Sequence, residues 1–232
     1  MNVLSTERRA RACRAIALGL LALALGEGCQ SFSGTTFVGT TAASFLRNIR
    51  ESRDPNVRYQ SYAQLASPNC YDGEDQKIQA ARTLAAALDA GREPIATRAV
   101  ICRTLGALGK PEAREALIRA LDDHDPVIRA EACRALGKVG KPDDALVLAR
   151  IMVADHEKDC NIAAIEGIAA LKPTDPRITI ALVEGMEARD PAIRAACLKA
   201  LRALSGKDLG LDVENWRKYA RELAEKADSK PR

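Results

Sequence analysis

The chain has 232 residues, 47% hydrophobic but only 3% aromatic, with 28% charged and a formal net charge of +4. A chain rich in Ala and Leu with so few aromatics excludes an all-β sandwich, which draws on Val, Thr and aromatic residues, and favours amphipathic helices packed through small side chains. The seven Cys include no CxxC pair and have only His124 and His156 to assist them, so no zinc-type ligand spacing is present.

In chain order, residues 1–28 come first and stand apart from the rest. Arg8, Arg9, Arg11 and Arg14 form a basic start, and residues 15–25 (AIALGLLALAL) are an unbroken apolar run. Eleven residues fall short of the roughly 20 needed to span a bilayer core, but they match the hydrophobic region of a signal peptide. Gly28-Cys29 follows. A basic start, a short apolar run and a small residue before Cys together resemble a bacterial lipoprotein signal. That resemblance implies cleavage before Cys29, acylation of Cys29 and a lipid anchor in the cell envelope; ordinary secretory cleavage is the alternative. Removing residues 1–28 takes away four Arg and two Glu, lowering the net charge from +4 to +2. So small an excess argues against nucleic acid as the partner, since its binding rests on many phosphate contacts. Residues 29–36 read as a flexible tether.

A repeat then dominates. Arg58, Arg98, Arg129, Asn161 and Arg194 fall 40, 31, 32 and 33 residues apart. Asp54-Pro55, Asp125-Pro126 and Asp190-Pro191 precede three of these anchors, and Glu93-Pro94 a fourth. Asp before Pro caps a helix while Pro takes the first helical position. Small or apolar residues recur behind each anchor at three- and four-residue steps, and Gly109 and Gly140, each followed by Lys-Pro, read as left-handed helix ends. The predicted helix pairs are 37–52 with 56–66, 74–90 with 94–108, 112–122 with 126–139, 143–154 with 157–171 and 176–187 with 191–204. A last helix covers about 213–227, and its stripe of Val213, Trp216, Tyr219 and Leu223 reads as a cap over the end of the array rather than a recognition patch.

EPIATRAVICRTLGALG, DPVIRAEACRALGKVG and DPAIRAACLKALRAL resemble HEAT repeats, including bacterial HEAT-like repeats of the bilin-lyase type. The resemblance implies an all-α, right-handed α-solenoid of about five helix pairs over 37–211, closed by a capping helix and tail over 212–232. No pair of this kind buries its own apolar face; stacked neighbours do so together. It also implies ladders between successive turns, for which Asp54, Asp125 and Asp190 with the anchor arginines are the candidates, and Asn161 breaks the series.

Little chemistry is visible. The pairs His124-Asp125 and His156-Glu157 fall in turns and are too few for a dinuclear iron site. Cys102, Cys133 and Cys197 occupy small-residue columns where Cys behaves as a buried apolar group. A Cys102–Cys133 disulfide remains an alternative, and Cys70, in SPNCYDGED, is expected to be the exposed thiol. The informative column lies five places past each anchor: Arg103, Arg134, Glu166 and Lys199. These positions point away from the predicted core, so a mostly basic stripe on the second helices is the candidate interaction surface. The reading is a non-enzymatic, membrane-tethered HEAT-repeat scaffold that binds another protein. It has no catalytic residue, cofactor or metal, and no pigment-site signature. Two alternatives stay open: a lyase-type or accessory protein related to bilin-lyase repeats, and a weak binder of an anionic ligand or nucleic acid on the stripe.

Overall fold

The computed structural model describes residues 39–229. Among them are eleven α-helices and no strand: α1 (Ala42–Glu51), α2 (Pro55–Gln64), α3 (Glu74–Ala90), α4 (Ile95–Leu108), α5 (Arg114–Ala120), α6 (Pro126–Val139), α7 (Ala145–Ala154), α8 (Lys158–Leu171), α9 (Pro176–Gly185), α10 (Pro191–Ser205) and α11 (Val213–Asp228). Residues 1–36, including the signal-like segment and Cys29, lie outside the described range.

The helix starts follow from local chemistry. Asp54, Asp125, Asp175 and Asp190 each precede Pro, and each side chain accepts a hydrogen bond from the backbone N–H two residues on, at 2.7 to 2.9 Å. Asp54 and Asp125 are therefore caps, not the ladder acids expected from the repeat, while Asp190 caps and also stands 3.7 Å from Lys158 of the preceding unit. Gly109 ends α4 in the left-handed region at φ +63°, as its sequence predicts. Gly140 does not: its φ is −75°, an extended conformation open to any residue. What requires glycine there is crowding, because a Cβ would sit 2.6 Å from the Leu136 carbonyl oxygen and 2.8 Å from a carboxylate oxygen of Asp144.

The helices form two layers. First helices α1, α3 and α5 contact in succession, as do α7, α9 and α11, while second helices α2, α4, α6, α8 and α10 run as one continuous series. Each interior second helix is pressed by its own partner and by both neighbouring units. Helix α4 consequently buries Ala99, Val100, Ile101, Cys102 and Leu105, more than one amphipathic stripe can supply. Small residues set the spacing between second helices. A Cβ on Gly106 would meet the Ala135 Cα at 3.0 Å, and one on Gly137 would meet the Gly167 Cα at 2.6 Å. Backbones along α4, α6 and α8 are thus near contact distance.

Arginine anchors rivet the layers from unit to unit. The Arg58 guanidinium donates to Glu93, Arg98 to Asp123, and Arg129 to both oxygens of Asp155 at 2.7 and 2.9 Å. Arg58 and Arg129 also donate back to carbonyls of the preceding turn, at Ser52 and Asp123. A rung therefore closes one turn and grips the next. The Arg129 hydrogen bonds hold the Asp155 carboxyl below the usual carboxylate range. Burial alone would raise Asp144, but the Arg114 side chain and the Lys141 backbone N–H outweigh it and its carboxyl is lowered.

Asn161 interrupts the series as expected. Its amide donates to the carbonyls of Met152 and Asp155 at 2.9 and 3.0 Å, so it fastens its own pair and reaches no later unit. The ladder acids Asp123 and Asp155 stand two residues before the next helix cap, and in the fifth unit that place is Ala188. Both halves of the fourth rung are missing together. A half-exposed pair, Lys158 and Asp190 at 3.7 Å, spans the gap.

At the C-terminal end α11 packs on α9. Trp216 is fully buried and its indole N–H donates to the Gly210 carbonyl at 3.1 Å, with Tyr219 edge-on at 6.1 Å. The aromatic stripe faces inward.

Candidate functional site

Five second helices present one face to solvent, and four of them carry the predicted column. Arg103 on α4, Glu166 on α8 and Lys199 on α10 are exposed, and Arg134 on α6 is half-buried. Around them the face is made of small residues, including Ala96, Ala107, Ala169, Ala196 and Ala203. The surface is therefore low and helical, with a few charged side chains standing on it.

The stripe is not basic throughout. Glu131, one turn before Arg134 on α6, lies between the arginines, 3.5 Å from the Arg103 Nε and 3.5 Å from the Arg134 Nη1. Arg134 also approaches Glu166 at 3.3 Å. Along the stack Arg103, Glu131, Arg134, Glu166 and Lys199 alternate in sign, and Lys138, one turn on from Arg134, stands exposed beside the row. Reading only one column misses the acid between the arginines. Glu131 sits three places nearer the anchor than Arg134, and its i,i+3 relation to that residue is the sequence signal that finds it. A binder of anionic ligands on this face loses its main support, since each of the two arginines is already beside a carboxylate.

These ion pairs are long, and each has at least one side chain open to solvent. Pairs of that kind contribute about 0–1 kcal/mol, so they hold side chains in place without locking them against exchange with a partner's charges. Between α8 and α10 the face opens into a groove of about 310 Å³, lined by Ile165, Glu166, Ala169, Ala196, Lys199 and Ala203 among others.

The thiols stand in a different environment. Cys70, Cys102, Cys133, Cys160 and Cys197 are all free and all buried. No Cys102–Cys133 disulfide is present. Cys70 is not the exposed thiol expected of its loop, because the turn Pro68–Cys70 folds it inward, where its Sγ lies 3.1 Å from the Ser67 carbonyl oxygen. Burial pushes the Cys102, Cys133 and Cys197 thiols up to about 12 and Cys160 to about 11. None of these five supplies a thiolate near neutral pH. His124 and His156 are exposed in the turns before α6 and α8, and among the described residues no three His, Cys, Asp or Glu gather as a metal site.

With this geometry in place, comparison with known proteins gives the fold a context. The sequence model of HEAT repeats matches residues 80–169. No curated protein matches the chain by sequence. One solved structure similar to the chain is the complex of CpcE and CpcF of phycocyanin lyase from Nostoc sp. PCC7120, with 19% identity and a TM-score of 0.60, covering 85% of this chain and 79% of that one. The fold is a HEAT-type α-solenoid. A second similar structure is an engineered protein from the Northeast Structural Genomics Consortium, with 14% identity and a TM-score of 0.52, covering 81% of this chain and 96% of that one.

At these identities the likeness speaks to fold alone. It nonetheless corrects one expectation. The non-enzymatic assignment rested on treating a HEAT solenoid as a scaffold, and the same architecture occurs in a phycocyanin lyase. Fold supplies no ground for excluding chemistry here.

Proposed function

We propose that this chain is a lyase-type accessory protein, a HEAT solenoid that works in complex with a second protein held along its second-helix face. The observation that carries the proposal is the alternating row Arg103, Glu131, Arg134, Glu166, Lys199 set on small residues across four helices. Alternating charges favour one register of a complementary protein surface, and a low Ala-rich face lets another helix approach closely. The similar phycocyanin lyase structure, itself a complex of two proteins, supports the same reading. The buried thiols fit it too: a thiol that accepts a chromophore is supplied by the partner, because the five described here are protonated and enclosed.

Export and acylation at Cys29 belong to this proposal and rest on the sequence. Among the described residues no helix is long and apolar enough to cross a membrane.

The test is capture followed by transfer. The partner is recovered with the intact protein, and the purified complex is given a bilin. Arg103→Glu with Arg134→Glu places four like charges in succession and should weaken capture at least tenfold, leaving the helical circular dichroism spectrum intact. Covalent bilin on a partner thiol marks lyase-type action. Undiminished capture by the double variant removes the second-helix face as the contact.

A further inference from the structure

The fourth rung and the groove occupy the same seam. Between α4 and α8 the second helices are fastened twice, by near-contact backbones at Gly106 and Gly137 and by arginine rungs at Arg98 and Arg129. Between α8 and α10 the rung is absent at both ends, with Asn161 in place of the arginine and Ala188 in place of the acid. The Lys158–Asp190 pair that remains is half-exposed and long, and so is weak. There the face opens to about 310 Å³, between walls formed by Ile165 and Ala169 on one side and Ala196, Ala200 and Ala203 on the other.

The charges on the two rims are unequal. Glu166 is engaged by Arg134, whereas Lys199 has no ion-pair partner among the described residues. The groove thus combines an aliphatic floor, small side chains that leave room for a neighbouring backbone, and one uncompensated positive charge at its edge. A helix laid in a groove is read through apolar anchors at three- and four-residue steps, with polar contacts setting its orientation. We infer that the seam between α8 and α10 is a docking groove for an amphipathic helix of a partner protein, one that presents an aliphatic edge and a carboxylate beside it that meets Lys199. This deepens the protein-binding reading above and rests on it. The missing rung lets α10 shift against α8 as the helix enters, without breaking a buried ion pair.

The test uses the intact chain and two fluorescein-labelled, helix-stabilised peptides. Both carry Leu at i, i+4 and i+7; one has Glu and the other Lys at the positions flanking that edge. Binding is read by fluorescence anisotropy at moderate salt. The acidic peptide should bind at least tenfold more tightly than the basic one. Lys199→Glu should reverse that preference, and Ala203→Trp, at an exposed groove position, should weaken both peptides at least fivefold. Circular dichroism confirms that each variant is folded. Equal or undetectable binding of the two peptides, or a preference that Lys199→Glu leaves unchanged, overturns the inference. Capture of the full partner that responds to the Arg103 and Arg134 reversals but not to Lys199→Glu or Ala203→Trp sinks this groove and leaves the broader reading standing.

Discussion

Trp216→Ala should cost about 3–5 kcal/mol, the range for truncating a large aromatic in a close-packed core. The indole is 0% exposed on α11 and its N–H donates to the Gly210 carbonyl, so truncation opens a cavity and strands that acceptor. Because each unit of a solenoid is supported by its neighbours, the loss falls first on α9, α10 and α11 and leaves the α4–α8 block comparatively intact. Hydrogen exchange should therefore show faster opening over residues 176–228, with smaller changes over residues 95–139. Unchanged exchange in the last pair would mean that α11 is not a structural cover.

Gly137→Ala should also destabilise, against the trend for helices. In an exposed helix interior that replacement gains about 1 kcal/mol from propensity. Here the new Cβ would lie 2.6 Å from the Gly167 Cα and 3.0 Å from its carbonyl oxygen, both backbone atoms that no rotamer change can move. Overpacking of this kind costs typically 1–3 kcal/mol and more when backbones must separate. The expected net loss of about 2 kcal/mol lowers Tm by roughly 4–8 °C for a chain of this size. Thermal melting followed by circular dichroism reads it directly. A Tm equal to or above that of the parent would show that the α6–α8 seam is looser than its geometry.

The helical frame was legible in the sequence because its signals are local. Asp54, Asp125 and Asp190 before Pro cap α2, α6 and α10, and ten of the eleven helices start and end within two residues of expectation, whereas the first, expected from 37, begins at Ala42. What failed depended on which partner each side chain meets. Gly109-Lys110-Pro111 and Gly140-Lys141-Pro142 read alike, yet only the second is followed by Asp144. That carboxylate is 2% exposed, accepts from the Lys141 backbone N–H at 2.7 Å and leaves no room for a Cβ at Gly140. The ladder acids were misassigned for a similar reason. A carboxylate at a helix start can cap or bridge, and Asp125 caps while Asp123, two residues earlier, bridges.

The candidate site was legible in position but not in sign. Column arithmetic located Arg103, Arg134, Glu166 and Lys199 on one exposed face. It did not register Glu131, which belongs to another column and whose side chain, only 17% exposed, reaches between the arginines. The difference matters physically. A basic stripe collects anions generally, whereas an alternating row discriminates between partners by register. Nor did composition predict the burial of Cys70, which follows from a short inward turn whose neighbour Tyr71 donates its hydroxyl to the Leu65 carbonyl.

Site-specific photo-crosslinking in the native complex tests the central claim most directly. A photoreactive residue is placed singly at 103, 166 or 199 on the second-helix face, and at 146 or 153, where Leu146 and Val153 are exposed on α7 in the first-helix layer. The account predicts covalent capture of the partner protein from positions 103, 166 and 199 and none from 146 or 153. Capture from α7 alone would contradict it.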